Sequence, residues 1–186
     1  DDESAAAQFK NQNTAGSKLL QFFPLCNNDK TECEPYEAGS RKWGTLPLIN
    51  QMFKLFFKID QVRLVKGAIK PIEGDYEISF DQWHMADRVT YFFCTARMFM
   101  GEGDLRKAET RLDDALKLCH SDAEANIQRI LVFLVPLRLM LGKPPPTPAL
   151  LQQHSLEDKF SGIIASLRNG DLNLFKESLQ LHEEFL

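Results

Sequence analysis

From Leu46 to Phe57 the apolar residues Leu48, Ile49, Met52, Phe53, Leu55, Phe56 and Phe57 cover almost the whole circumference of a helix. They confine Asn50, Lys54 and Lys58 to a strip at steps of four, the pattern of a helix buried on several sides. Asp60 is placed to cap a second helix in which Val62, Val65 and Ile69 face inward and Arg63, Lys66 and Lys70 share the neighbouring face, until Pro71 and Gly74 end it. Asp81 is the expected cap of a long helix carrying Trp83, Ala86, Thr90, Phe93, Ala96 and Met100 at steps of three and four, stopped by Gly101-Glu102-Gly103. Asp104 then opens a helix with Leu105, Ala108, Leu112, Ala115, Leu116 and Cys119 on one side. Across these helices Trp83, Phe93, Phe99, Leu112, Leu116 and Phe133 are the expected buried layer.

A third long helix is predicted over about 123–141, bent at Pro136, where one backbone donor is missing, and resuming through Leu139 and Leu141. The proline run of residues 143–148 reads as a stiff connector. Beyond it, residues 155–167 and 172–185 form a last pair around Asn169-Gly170-Asp171. Gly103-Asp104-Leu105 thus recurs as Gly170-Asp171-Leu172, about two ~34-residue helix-pair periods later. Phe92, Ala96 and Phe99 followed by Ala108, Leu112 and Ala115 approximate one such pair, with Thr95 standing where Leu is usual. Only Tyr76-Ile78-Phe80 alternates with period two, and weakly. The expected fold class is therefore all-α, a degenerate tetratricopeptide-like α-solenoid. Residues 1–40 form a leader of helix and turn-rich loop, partly flexible, and residues 41–186 the helical-repeat domain.

Charge changes the picture. The chain of 186 residues has a net charge of −4. Between Arg41 and Lys70, however, Arg41, Lys42, Lys54, Lys58, Arg63, Lys66 and Lys70 face the single acid Asp60. Like charges at i, i+4, as in Lys54/Lys58 and Lys66/Lys70, cost a few tenths of a kcal/mol on an isolated helix. Phosphates, or acids from a partner, turn that repulsion into attraction. These seven residues are the candidate partner- or nucleic-acid-binding set; the competing account is a solvated helix edge.

Chemistry of other kinds is not marked. There is no Gly-rich phosphate loop, no G-x-S-x-G and no H-E-x-x-H. His84, His120, His154 and His182 are scattered, and Cys26, Cys33, Cys94 and Cys119 form no C-x-x-C pair. The expectation is a chain without enzyme activity, metal or cofactor. The thiols are expected free in a reducing compartment, with a Cys26–Cys33 disulfide as the alternative. No apolar run reaches membrane-spanning length, and the acidic start Asp1-Asp2-Glu3-Ser4 is no signal peptide, so the chain is expected to be soluble. A start without Met and an end at Leu186 inside a helical pattern point to a fragment.

Three words carry a resemblance: S-R-K-W-G at 40–44 with L-I-N-Q-M-F-K at 48–54, L-V-P-L-R-L-M-L-G at 134–142, and G-D-L followed by H-E-E-F across 170–185. Over roughly residues 40–186 the chain resembles the PCI-domain subunit of the nuclear mRNA-export complex TREX-2, the PCI domain-containing protein 2 family, with signalosome-associated relatives close by. The resemblance implies the helical part of a PCI module, with the winged helix that follows it in the family lacking or incomplete here. It implies a non-enzymatic adaptor at the nuclear pore that binds a large scaffold subunit and a small acidic disordered subunit and helps to present RNA. The implied location is the nucleus, with the cytoplasm as an addition. Two alternatives stay open: direct RNA or DNA binding through the 41–70 stripe, and a signalosome-type scaffold.

Overall fold

A computed structural model of the chain describes residues 2–32, 39–74 and 76–183, with side chains described from residue 11 onward. Among them the α-helices are α1 (Asp2–Asn27), α2 (Thr45–Lys58), α3 (Lys66–Glu73), α4 (Met85–Gly101), α5 (Leu105–Leu118), α6 (Glu124–Met140), α7 (Pro148–Gln153), α8 (Glu157–Asn169) and α9 (Leu172–Leu181). Short 3-10 turns cover Arg41–Gly44, Val62–Val65 and Phe80–Gln82, and the described residues contain no strand. The all-helical expectation holds. The chain divides into two compact units, Asp1–Met98 and Phe99–Leu186.

In the first unit the leader and the apolar run of residues 19–23 are one helix, which continues past Pro24 and packs along α2. A close approach fixes the crossing: a Cβ on Gly16 would lie 3.1 Å from the Phe56 ring. The Ser40 hydroxyl accepts from Lys42 N–H and starts the turn that leads into α2. Leu46, Ile49, Met52, Phe53 and Phe56 are buried, as the dense apolar pattern requires. α2 and α4 run side by side in the same direction. Asn50 Nδ2 donates to the Asp87 carbonyl, Phe53 meets Tyr91 ring to ring, and Phe57 lies under Arg97.

Two expected caps are corrected. Asp60 does not cap a second helix; it sits in the left-handed region at φ 53°, a conformation that Asp tolerates, and turns the chain after α2. Asp81 lies within the 3-10 turn Phe80–Gln82, where its carboxylate takes the Ser79 hydroxyl. His84 starts α4 instead, with Nδ1 accepting from Ala86 N–H at 3.3 Å. Part of the expected buried layer also shifts. Trp83 and Leu112 are buried, but Phe93, Phe99, Leu116 and Phe133 are half-buried. The core positions of α4 are Val89, Tyr91, Phe92, Cys94, Thr95, Ala96 and Met98, because this helix is covered on more than one side and a single three/four stripe under-describes it.

Residues 76–80 form a bent, non-helical segment that ends in the 3-10 turn at Phe80. Tyr76 stacks on Trp83 with ring centres 5.4 Å apart, Ile78 is buried, and Phe80 reaches Trp83, Tyr91 and Phe92. The weak alternation is thus a strap laid over an aromatic cluster, with no sheet partner among the described residues.

In the second unit α5 packs on α6, and α8 on α9. α6 continues past Pro136 through Leu139 to Met140, with Leu141 as its C-cap, so the helix resumes beyond the proline as expected. The connector is shorter than expected, because the Thr147 hydroxyl accepts from Leu150 N–H and Pro148 opens the short helix α7. Gly170 adopts φ 69° to end α8. α9 ends at Leu181, with His182 as its C-cap and Glu183 in a turn, so it stops short of the expected 172–185; residues 184–185 lie outside the described residues.

The Asp104 cap is as expected: its carboxylate accepts from Lys107 N–H and pairs with Lys107 Nζ at 2.8 Å. These contacts hold its pKa below the ordinary 3.8, the side-chain bond to Lys107 acting most strongly. A carboxyl depressed in the folded state stabilises above its unfolded pKa and loses that contribution as pH falls through the folded value. A carbon-detected NMR titration is expected to place the Asp104 midpoint below 3.8. In Lys107→Met that midpoint is expected to rise.

Candidate functional site

The seven basic residues fall into distinct settings. Lys54 and Lys58 stand exposed one turn apart on α2, Arg63 is exposed in the turn Val62–Val65, and Lys66 and Lys70 are exposed on α3. Among the described residues no ion pair engages Lys54, Lys58, Arg63 or Lys70. The 41–42 end differs. The Lys42 side chain is only 12% exposed and pairs with Glu77. Arg41 N–H donates to the Asp29 carboxylate at 2.7 Å, the main cause that holds the Asp29 pKa low. An acid from outside the stripe thus pairs with the Lys42 side chain, whereas Arg41, exposed, meets Asp29 through its backbone N–H. Lys54, Lys58, Arg63, Lys66 and Lys70 are the exposed cations further along.

The structure also joins residues that the linear stripe kept apart. Lys42 and Lys70 line one open cleft of about 430 Å3 with Asn27, Pro71, Gly74, Tyr76 and Glu77, where α1 and α3 end. On the other side of α2, the Arg97 guanidinium of α4 lies 4.2 Å from the centre of the Phe57 ring, which itself stacks on Phe53. Lys54 stands exposed three residues before Phe57 on α2. Burial pushes the Cys94 thiol up to about 11, and the two cations that oppose the shift are Arg97 and Lys54. Arg97 was not visible as a site residue in the sequence; it enters because α2 and α4 lie alongside one another.

Other chemistry is sparse. No cluster of three His, Cys, Asp or Glu able to hold a metal occurs among the described residues. Cys26, Cys94 and Cys119 are free thiols, and the Cys26–Cys33 alternative falls on Cys33, outside the described residues. His154 is buried, with Nδ1 3.3 Å from Glu124 and its carbonyl accepting from Gln128, so it ties α7 to α6. No helix among the described residues is long and apolar enough to cross a membrane.

Successive helix pairs whose exposed faces carry charge define a helical scaffold, a protein that works through its surface. The chain is similar to PCI domain-containing protein 2 and its relatives over nearly all of its own length. It is 35% identical to PCI domain-containing protein 2 of Xenopus laevis over 92% of its own length and 41% of the relative's. It is 36% identical to Enhanced ethylene response protein 5 of Arabidopsis thaliana over 91% of this chain and 38% of that protein. Protein CSN12 homolog of Gibberella zeae is 34% identical over 89% of this chain and 36% of that one. The chain spans about two fifths of the length of the curated relatives it matches. No family model matches it.

Proposed function

We propose that the chain is the helical part of a non-enzymatic adaptor subunit in a nuclear mRNA-export assembly of the TREX-2 type at the nuclear pore. It binds a large scaffold subunit and, through the basic face of α2 and α3, a small acidic subunit, so that the assembly presents RNA. The homology to PCI domain-containing protein 2 supports the class of protein. The observation that carries the binding role is the outward set Lys54, Lys58, Arg63, Lys66 and Lys70, with only Asp60 among the acids of that segment. An acidic segment laid along it relieves like-charge repulsion at both i, i+4 pairs. The proposed location is nuclear, with a cytoplasmic share.

The test is Lys58→Glu with Lys66→Glu. Exposed substitutions usually change stability by less than about 0.5 kcal/mol, so the variant is expected to keep its helicity and unfolding midpoint. Its affinity for an Asp/Glu-rich peptide, read by fluorescence anisotropy, is expected to fall by about tenfold or more, with an on-rate loss that high salt mimics. A folded double variant that binds the peptide as before returns the stripe to a solvated helix edge. A second reading keeps the fold and changes the assembly to a signalosome-type scaffold; the relatives named CSN12 homolog favour it.

A further inference from the structure

We infer that Thr147, in the proline connector between α6 and α7, is a phosphorylation site for a proline-directed protein kinase. The inference goes beyond the adaptor reading and is independent of the basic face of α2 and α3. Thr147 is the one Ser or Thr in the chain that is followed by a proline, Pro148, and Pro145 stands two residues before it. Residues 143–147 carry no regular secondary structure, and Thr147 is exposed. Its backbone is extended at φ −60° and ψ 144°, the region to which a following proline confines it. The segment thus already has the shape in which a substrate lies along a kinase groove. Pro148 brings no N–H, and a groove that offers no acceptor at that point admits proline and rejects residues whose N–H would be left unpaired.

The Thr147 hydroxyl is available for the chemistry. Among the described residues its only contact is as an acceptor from Leu150 N–H at 3.4 Å, a long bond, and its own proton is not donated. In the transfer, the bond between the γ-phosphorus of ATP and the β–γ bridging oxygen breaks and a bond from Thr147 Oγ1 to that phosphorus forms. ADP leaves, and the hydroxyl proton passes to the catalytic-loop carboxylate of the kinase. No Asp or Glu lies between residues 144 and 156, so no like charge within the segment opposes the added dianion. Leu151 and His154 are buried and keep α7 packed, so the phosphate is a mark on the surface and does not need the helix to come away.

The full chain is incubated with ATP and an active mitogen-activated protein kinase, and phosphate is counted by intact mass and placed by fragmentation. One phosphate, on Thr147, is expected, added at a rate within about tenfold of that for a synthetic peptide of residues 140–152, because the exposed site needs no local unfolding. Thr147→Ser is expected to keep the phosphate and Thr147→Ala to lose it. Pro148→Ala is expected to slow its addition by about tenfold or more, since the new N–H is left unpaired in the kinase groove. Fragmentation of the unaltered chain places the phosphate without any variant, so the test stands should Thr147→Ala unsettle α7. A folded chain that stays unmodified while the peptide is phosphorylated overturns the site. So does a phosphate placed on another residue or retained by Thr147→Ala, full-rate modification of Pro148→Ala, or failure of the peptide itself to be modified.

Discussion

Leu112→Ala is expected to lower the unfolding free energy by about 2–5 kcal/mol. Leu112 is fully buried on α5, flanked one turn away on either side by Ala108 and Ala115, which are fully buried as well. Small residues at those positions bring the α5 backbone close to its neighbours, and α6 packs along it with Ile127, Ile130, Leu131 and Leu134 in the core. A cavity opened at Leu112 lies between two long helices that are tied at their ends, so collapse recovers little of the lost contact. Urea denaturation followed by circular dichroism reads the effect. A loss below about 0.5 kcal/mol contradicts the facing of α5, since that is the size of ordinary surface effects.

That facing was legible in advance because α5 is amphipathic: one side carries Ala108, Leu112 and Ala115, the other charge. α4 shows the opposite case. It is apolar around most of its surface, and a single stripe drawn through Ala86, Thr90 and Phe93 missed Val89, Tyr91 and Cys94. Caps divided in the same way. Asp104 was legible because Gly103 before it, at φ 80°, stops one helix and leaves the carboxylate free to start the next. Asp60 and Asp81 are the same residue type before helical patterns, but Asp serves equally as a cap, as a left-handed turn residue and as the acceptor of a neighbouring hydroxyl. Sequence alone does not separate these roles.

The candidate surface was legible as charge and not as geometry. Spacing along α2 and α3 brought out the cations. It did not show that Glu77 and Asp29, both outside the 41–70 segment, approach Lys42 and Arg41. Nor did it mark Arg97, which lies far along the chain and reaches Phe57 only because α2 and α4 are parallel neighbours. The weak alternation at Tyr76, Ile78 and Phe80 did not mark a strand: Glu77 and Ile78 lie in a bend and Phe80 opens a 3-10 turn. The partner of this segment is the aromatic cluster around Trp83, which no periodicity announces.

The second large effect is expected at Arg138. Glu109 on α5 has a side chain only 8% exposed, and its two oxygens accept from Arg138 Nε at 3.2 Å and from Lys143 Nζ at 2.7 Å. Arg138 also engages Asp113 one turn along, and Asp113 holds Lys117 at 3.1 Å. This network secures α6 beyond Pro136, where the helix lacks one backbone donor, and it anchors the start of the proline connector. Arg138→Met leaves Glu109 buried with one cation in place of two. Removing one partner of a buried pair costs about 3–5 kcal/mol, and Lys143, which remains, brings the expected loss to about 2–4 kcal/mol. The double replacement Glu109→Leu with Arg138→Met removes the stranded carboxylate as well, and is expected to return at least half of that loss, because an apolar pair of similar volume needs no desolvated charge. Urea midpoints of the two single variants and the double variant form the cycle that reads this. A double variant less stable than Arg138→Met alone would show that Glu109 is held mainly by Lys143, and that Arg138 acts on α6 through Asp113.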